Sequence, residues 1–251
     1  MANLSGRAAL VTGAGIGIGQ AIAESLAGAG AIVGVHCHRS VEEARSVVYG
    51  ICGRGGSAHL LQADLTEPVA AARVVDEFVE QAGRLDILVN NAGSPVERAR
   101  IEECPLKLWQ RVLASNLTSA FLVTQRAIPH LRASGRGAIV NNLTLSIQTG
   151  GANGAGPYAV AKGGLQVLTR TLARELAPEI RTNAIMPGVI ETRHHEVFST
   201  PERLELYRHE TPLGRNGTAD EVAAAVLFLV SDEARFINGA LLDVNGGRFL
   251  R

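Results

Sequence analysis

The chain has 251 residues, 46% of them hydrophobic, enough for one large α/β domain with a sizeable core. Its 24 basic and 24 acidic side chains cancel, which excludes a strong field for nucleic acid or an anionic membrane. Cys37, Cys52 and Cys104 are odd in number and far apart, the MANLSGRAALVTG opening has no charged-then-apolar leader, and the longest apolar run (Val222–Val230) is about half a membrane span, so a cytoplasmic protein is expected. Short apolar runs then alternate with longer amphipathic ones. Ala8–Thr12, Ala31–His36, Ser57–Gln62, Asp86–Asn90, Ala138–Leu143, Arg181–Met186 and Ala240–Val244 read as strands. Between them, Val74, Val75, Phe78 and Val79 form a helical stripe, and so do Leu165, Leu168 and Leu172. A helix opening near Pro105 is expected to bury Trp109, Val112, Leu113 and Leu117. Strand–helix alternation without a Pro/Ser-rich break, repeat or low-complexity segment predicts one Rossmann-like, doubly wound domain over 1–251. Its parallel sheet would have about seven strands, with helices on both faces.

In such a sheet ligands bind beyond the carboxyl ends of the strands, so motifs just after strands carry most weight. The first is VTGAGIGIGQ. A strict G-x-G-x-x-G does not fit, whereas T-G-x-x-x-G-x-G does, on Thr12, Gly13, Gly17 and Gly19, with Ile18 between the last two. Glycines there allow a sharp turn and close approach of a pyrophosphate to a helix N-terminus. No G-K-[ST] follows, which argues against a Walker-type loop.

The glycine turn, NNAG at Asn90–Gly93, YAVAK at Tyr158–Lys162 and NAIMPGVIET at Asn183–Thr192 stand in order and spacing. Across essentially the whole chain they resemble the short-chain dehydrogenase/reductase family, of its classical type. The resemblance implies an NAD(P)-dependent enzyme interconverting a carbonyl and an alcohol, and a homotetramer. It places Asn91, Ala92 and Gly93 beside the adenosine ribose, and Asp64 with Leu65 at the adenine. Pro187, Gly188, Ile190 and Thr192 would receive the nicotinamide carboxamide. Asp64 also reads as an N-cap for a helix beginning near Glu67. Where NAD-type members carry Asp after the second strand this chain has Cys37, followed by His38, Arg39 and Ser40. No carboxylate there repels a 2′-phosphate and Arg39 can clamp one, so NADP(H) is favoured with NAD(H) possible. His36 and His38 lack companion ligands, and no metal site is expected.

Tyr158 and Lys162 are i and i+4, presented by one helix face. A free tyrosine has a pKa of about 10. Neighbouring positive charge would have to lower it by ~3 units, roughly 4 kcal/mol, for it to act as a base near neutrality. The family pattern puts the carbonyl-polarising hydroxyl on Thr144, with Ser146 as accessory or substitute, on the same face if the chain stays extended. By the same resemblance, Asn116 holds a water linking Lys162 to solvent. Residues 193–215 form the expected substrate lid, with Arg193, His194 and His195 near its start; Arg98 and Arg100 are further candidates for the cleft. These residues favour a small polar substrate. A β-ketoacyl carrier-protein reductase is the nearest alternative, against which Glu179 stands where a carrier-gripping arginine would sit. A weakly catalytic dinucleotide sensor or scaffold is the other, encouraged only by threonine at position 144.

Overall fold

The computed structural model describes residues 2–151, 153–192 and 200–250. Its seven strands are β1 (Ala8–Val11), β2 (Ile32–Cys37), β3 (Ser57–Gln62), β4 (Ile87–Asn90), β5 (Gly137–Asn142), β6 (Ile180–Pro187) and β7 (Leu241–Val244). They lie in one sheet, in the order β3-β2-β1-β4-β5-β6-β7, and every pairing is parallel. The order reverses between β1 and β4, which opens a crevice at the carboxyl ends of those strands.

Side chains alternate across the sheet with a period of two, and both faces are apolar because both are covered. Ala9 and Val11 of β1, Ile87 and Val89 of β4, and Val140 of β5 face one core. Onto it pack α1 (Gly17–Gly28), α2 (Val41–Gly53) and the helix Ala219–Val230 through Ile22, Leu26, Val47 and Val226. Leu10, Leu88 and Ile139 face the opposite core, closed by α3 (Pro68–Ala82), a helix over Ser119–Ala133 and another over Gly156–Glu175. Val74, Val75 and Phe78 of α3 are fully buried there, as their spacing predicts.

The sheet's amino end is tied by one buried carboxylate. Asp86 receives two bonds of 2.7 Å from Arg84 and one of 2.9 Å from the Ala8 backbone N–H, holding the start of β4 to β1. These bonds hold its pKa below the ordinary carboxylate value despite its burial.

Further along, α4 (Leu106–Leu113) starts after Pro105, runs into a π turn at Ala114–Thr118, and continues as α5 (Ser119–Ala133). Leu108, Val112 and Asn116 are buried, whereas Trp109, Leu113 and Leu117 are only partly covered, contrary to the sequence expectation. The remaining helices are α6 (Ser146–Thr149), α7 (Gly156–Glu175), α8 (Pro201–Glu210) and α9 (Ala219–Val230). α9 carries a capping box between Thr218 and Glu221. Among the described residues no helix is long and apolar enough to cross a membrane.

Candidate active site

A cleft of about 1480 Å³ runs over the carboxyl ends of the strands. One end is walled by the turn from β1 to α1. Gly13 there has φ +63°, and a Cβ on Gly19 would lie 2.1 Å from the Gly13 carbonyl oxygen and 2.4 Å from Asn91 Nδ2. α1 has no side-chain cap and no acidic residue in its first turn, so its leading N–H groups are available to an anion. Backbone, open N–H groups and cleft volume all fit a dinucleotide with its pyrophosphate on this turn. Gly17, Ile18, Gly19, Asn91, Ala92 and Gly93 line that part of the cleft. Pro187, Gly188, Ile190 and Thr192, after β6, line it as well.

At the far side of β2, Arg39, Ser40, Asp64 and Leu65 line the cleft, and Arg39 is exposed there. Asp64 is not a helix cap. Its Oδ1 accepts from the Thr66 N–H (3.0 Å) and hydroxyl (2.7 Å), while Glu67 takes the N-cap position of α3 ahead of Pro68. Two bonds from Thr66 and the nearby His38 and Arg39 lower its pKa against the effect of burial. His36, at the end of β2, is buried and has a structural task that sequence pattern did not assign. Its Nδ1 accepts from the Gly13 N–H (3.1 Å) and its Nε2 stands 3.2 Å from the Ala63 carbonyl, tying the glycine turn to the loop bearing Asp64. No group of metal-ligating side chains occurs among the described residues.

The other end of the cleft holds Tyr158 and Lys162 on α7, with Thr144 and Ser146 on the loop after β5. Thr144 favours the ionised form of the Tyr158 phenol. The chain does not stay extended past β5. Ser146 instead opens α6, its N–H donating to Thr144 Oγ1 at 3.2 Å, so the two hydroxyls do not share a strand face. Lys162 is buried and donates to the Asn142 carbonyl at 2.7 Å, its Nζ 5.9 Å from the Tyr158 ring centre. Burial pushes Tyr158 up to about 12 and Lys162 down to about 8, each toward its neutral form. The expected lowering of the phenol is therefore not supplied by Lys162 alone; desolvation outweighs the opposing influence of Thr144.

Asn116 stands behind the cleft wall, fully buried in the π turn. Its Nδ2 donates to Ser94 O (2.7 Å), Val112 O (2.9 Å) and Ser115 Oγ (3.0 Å). That fixes the amide's orientation, because a flipped amide would set oxygen against two carbonyls. Its Oδ1 is buried, and no protein donor among the described residues reaches it. A Cβ on Gly93 would lie 2.4 Å from that oxygen and 3.2 Å from Lys162 Nζ, so both atoms crowd the same glycine.

Arg98 lines the cleft, but Arg100 turns away to pair with Glu102 at 2.8 Å. Arg193, His194 and His195 lie outside the described residues. Sequence pattern did not single out Arg203, Tyr207 and Arg248, which also line this end. α8 is polar around its whole circumference and Arg248 lies far along the chain, so no local period marks them.

A glycine-turn cleft, a tyrosine–lysine pair and a threonine hydroxyl lining the same cleft are the features of a dinucleotide-dependent oxidoreductase. The family described as Enoyl-(Acyl carrier protein) reductase matches residues 13–248. The 3-oxoacyl-acyl-carrier-protein reductase FabG of Aquifex aeolicus is 40% identical over 248 residues, 98% of each chain. Among solved structures, a short chain dehydrogenase from Burkholderia cenocepacia in complex with NADP superposes with a TM-score of 0.90 at 36% identity, covering 98% of this chain and 99% of that one. A 7 alpha-hydroxysteroid dehydrogenase complexed with NADH and 7-oxo glycochenodeoxycholic acid gives 0.92 at 33% identity, covering 98% and 95%. The chain belongs to the short-chain dehydrogenase/reductase family and is an NAD(P)-dependent oxidoreductase of carbonyl and alcohol groups.

The His36 bridge has a pH signature. Burial holds its pKa at about 4 against 6.5 when unfolded. Between those values the unfolded chain takes up a proton that the folded chain refuses, so stability falls as the pH drops through that window. The loss is about 3 kcal/mol. Urea unfolding at stepped pH should show this loss in the wild type and a flatter profile in His36→Gln. Parallel profiles would remove His36 as its cause.

Proposed function

We propose that Tyr158 is the proton donor in carbonyl reduction and the acceptor in alcohol oxidation, with Thr144 polarising the carbonyl oxygen and Ser146 accessory to it. The observation that carries this reading is the gathering of Tyr158, Thr144 and Ser146 in one cleft, with Tyr158 one helical turn from the buried Lys162. The nicotinamide, when bound, supplies or accepts the hydride. Gly13, Gly17, Ile18 and Gly19 would hold its pyrophosphate, Asp64, Leu65, Asn91, Ala92 and Gly93 the adenosine half, and Pro187, Gly188, Ile190 and Thr192 the carboxamide. Lys162, steered by Asn142, would hold the nicotinamide ribose and return a proton to Tyr158, and Asn116 would extend that path through its inward-facing oxygen. A protonated phenol suits the reducing direction directly. In oxidation, positive charge near the phenol must offset its burial.

The substrate is small and polar, and residues 193–215 form its lid. Support for the lid comes from its described part, where Arg203, Leu206 and Tyr207 of α8 line the cleft. The FabG likeness keeps a carrier-borne β-ketoacyl substrate as the second reading. Against it, the acidic Glu179 faces Arg132 at 3.8 Å at the end of α7. NADP(H) is the preferred cofactor, because Arg39 and Ser40 line the adenosine end and Cys37 supplies no repelling carboxylate. The unpaired cysteines suit a cytoplasmic location. The homotetramer is supported by apolar side chains left open on the helices beside the site: Phe121 at 43% on α5, Val160 at 49% and Val167 at 62% on α7.

Three measurements test this reading. Tyr158→Phe should lower kcat by about 100- to 10,000-fold with cofactor binding unchanged; turnover at the wild-type rate would remove Tyr158 as the acid/base. Fluorescence titration should show tighter binding of NADPH than of NADH, a difference Arg39→Ala abolishes through a loss of roughly tenfold for NADPH. Equal affinities in the wild type would put Arg39 back on the loop surface. Sedimentation at micromolar concentration should give a tetramer, and a monomer would defeat that assembly.

A further inference from the structure

We infer that Asn142 is a further cofactor-binding residue, its side-chain oxygen accepting a hydrogen bond from a hydroxyl of the nicotinamide ribose. This inference rests on the dinucleotide reading of the cleft and adds to it a residue outside the tyrosine–lysine pattern.

Four asparagines carry a buried Oδ1 that no donor among the described residues reaches: Asn90, Asn116, Asn142 and Asn216. Of these four, Asn142 alone lines the cleft. The residue is only 8% exposed, and an acceptor withdrawn from water and left unbonded is costly. Such an atom beside an open cleft calls for a donor from the ligand.

The direction of that oxygen is fixed by its neighbours. Asn91 Nδ2 donates to the Thr12 and Gly13 carbonyls at 2.9 and 3.0 Å, and a flipped amide would set oxygen against both. Asn91 therefore presents Oδ1 to Asn142, whose Nδ2 donates to it at 2.9 Å. Flipping Asn142 would bring two acceptors together. Its Oδ1 is left as the free end of the chain, on a backbone held by the pairing of β5 with β6 at Ile185.

The position of Asn142 selects the unit of the cofactor. On one side, Asn91 lies against the glycine turn, its Nδ2 2.4 Å from where a Cβ on Gly19 would stand. On the other, the Asn142 carbonyl accepts from Lys162, one helical turn from Tyr158. A dinucleotide with its pyrophosphate on the turn and its reacting ring at Tyr158 has one unit between them, the nicotinamide ribose. The adenosine half falls on the other side of β1, where Arg39 and Asp64 line the cleft. Phosphate oxygens and the ribose ring oxygen only accept, so the donors available to Oδ1 are the 2′ and 3′ hydroxyls. Asn142 thus addresses the lysine with its main chain and the sugar with its side chain.

The test is a cycle between protein and cofactor, read as binding. Wild type and Asn142→Leu are titrated by fluorescence with NADPH and with analogues lacking the 2′ or the 3′ hydroxyl of the nicotinamide ribose. ADP, which has no second ribose, is titrated by calorimetry. Asn142→Leu should raise the Kd for NADPH by roughly three- to tenfold and leave that for ADP unchanged. One analogue should bind wild type more weakly by a similar factor, and Asn142→Leu should weaken it no further. Asn142→Asp, which keeps an acceptor, should retain the discrimination that Asn142→Leu loses. Wild type indifferent to both hydroxyls, losses that multiply for both analogues, or an equal loss for ADP would each overturn the assignment. The hydride reading would then stand, provided Tyr158→Phe is inactive. Coupled losses in a protein whose turnover ignores Tyr158→Phe would overturn the hydride reading and leave Asn142 on the ribose.

Discussion

The buried Lys162 is the constraint from which the geometry of the cleft follows. An ammonium on a side chain only 2% exposed needs an acceptor, and the protein gives it the Asn142 carbonyl at the last residue of β5. Asn142 is itself tied down, its Nδ2 donating to Asn91 Oδ1 at 2.9 Å. Asn91 in turn donates to the carbonyls of Thr12 and Gly13 at 2.9 and 3.0 Å. One chain of hydrogen bonds thus runs from the glycine turn after β1, past β4 and β5, to the lysine on α7. The Thr12 hydroxyl reinforces it by accepting the backbone N–H groups of Asn91 and Ala92. The proposed pyrophosphate and proton-transfer subsites are therefore rigidly spaced, because the ends of adjacent parallel strands fix both.

A second, deeper row holds that plane in place. Asn90 donates to Asn141 Oδ1 and to the Thr124 hydroxyl, and Asn141 donates to the Thr169 hydroxyl. Asn90 and Asn141 are register partners across β4 and β5, so the side chains meet because the strands do. Thr124 and Thr169 belong to α5 and α7, and their bonds lock both helices against the sheet. Amides at strand ends satisfy backbone and side-chain groups that the exhausted ladders no longer pair. This is the physical reason that N-N motifs stand at the carboxyl ends of β4 and β5.

These features explain what could be read from the sequence. The inner strands were legible because both of their faces are buried, which turns each into a short apolar run with turn residues at its ends, whereas the edge strands β3 and β7 are only partly covered. Tyr158, Lys162, Thr144 and the glycine turn were legible as a group because their separations along the chain are those of a fixed topology. What was missed lies where conformation departs from the regular element. The buried face of α4 runs through Leu108 and Val112 to Asn116 and leaves Trp109 and Leu117 only partly covered, and no local residue announces the π turn in which Asn116 sits. The loop after β5 turned into α6, which defeated the assumption that Ser146 follows Thr144 on an extended strand. Asp64 closed a turn on Thr66 rather than capping α3, two uses of the same side chain that sequence cannot separate.

The division between legible and illegible follows the division of labour in the cleft. The cofactor end is built from strand termini whose positions the sheet dictates, so its residues recur at set distances from apolar runs. The proposed substrate end is lined by residues of the Val96 turn, by α8 and by Arg248, which meet only in the folded chain. Its contacts are among long, flexible side chains around Tyr207 and not in a strand ladder. The two ends are nevertheless mechanically joined, because the Ser94 carbonyl that begins the Val96 turn is also an acceptor of Asn116. A change that relaxes the strained turn therefore acts in two places at once. It alters where Arg98 stands, and it loosens the buried amide whose oxygen crowds Gly93 alongside the lysine Nζ. The proposed substrate end and the proposed proton path share one loop, which turns at a β-branched residue in a backbone conformation such residues rarely adopt.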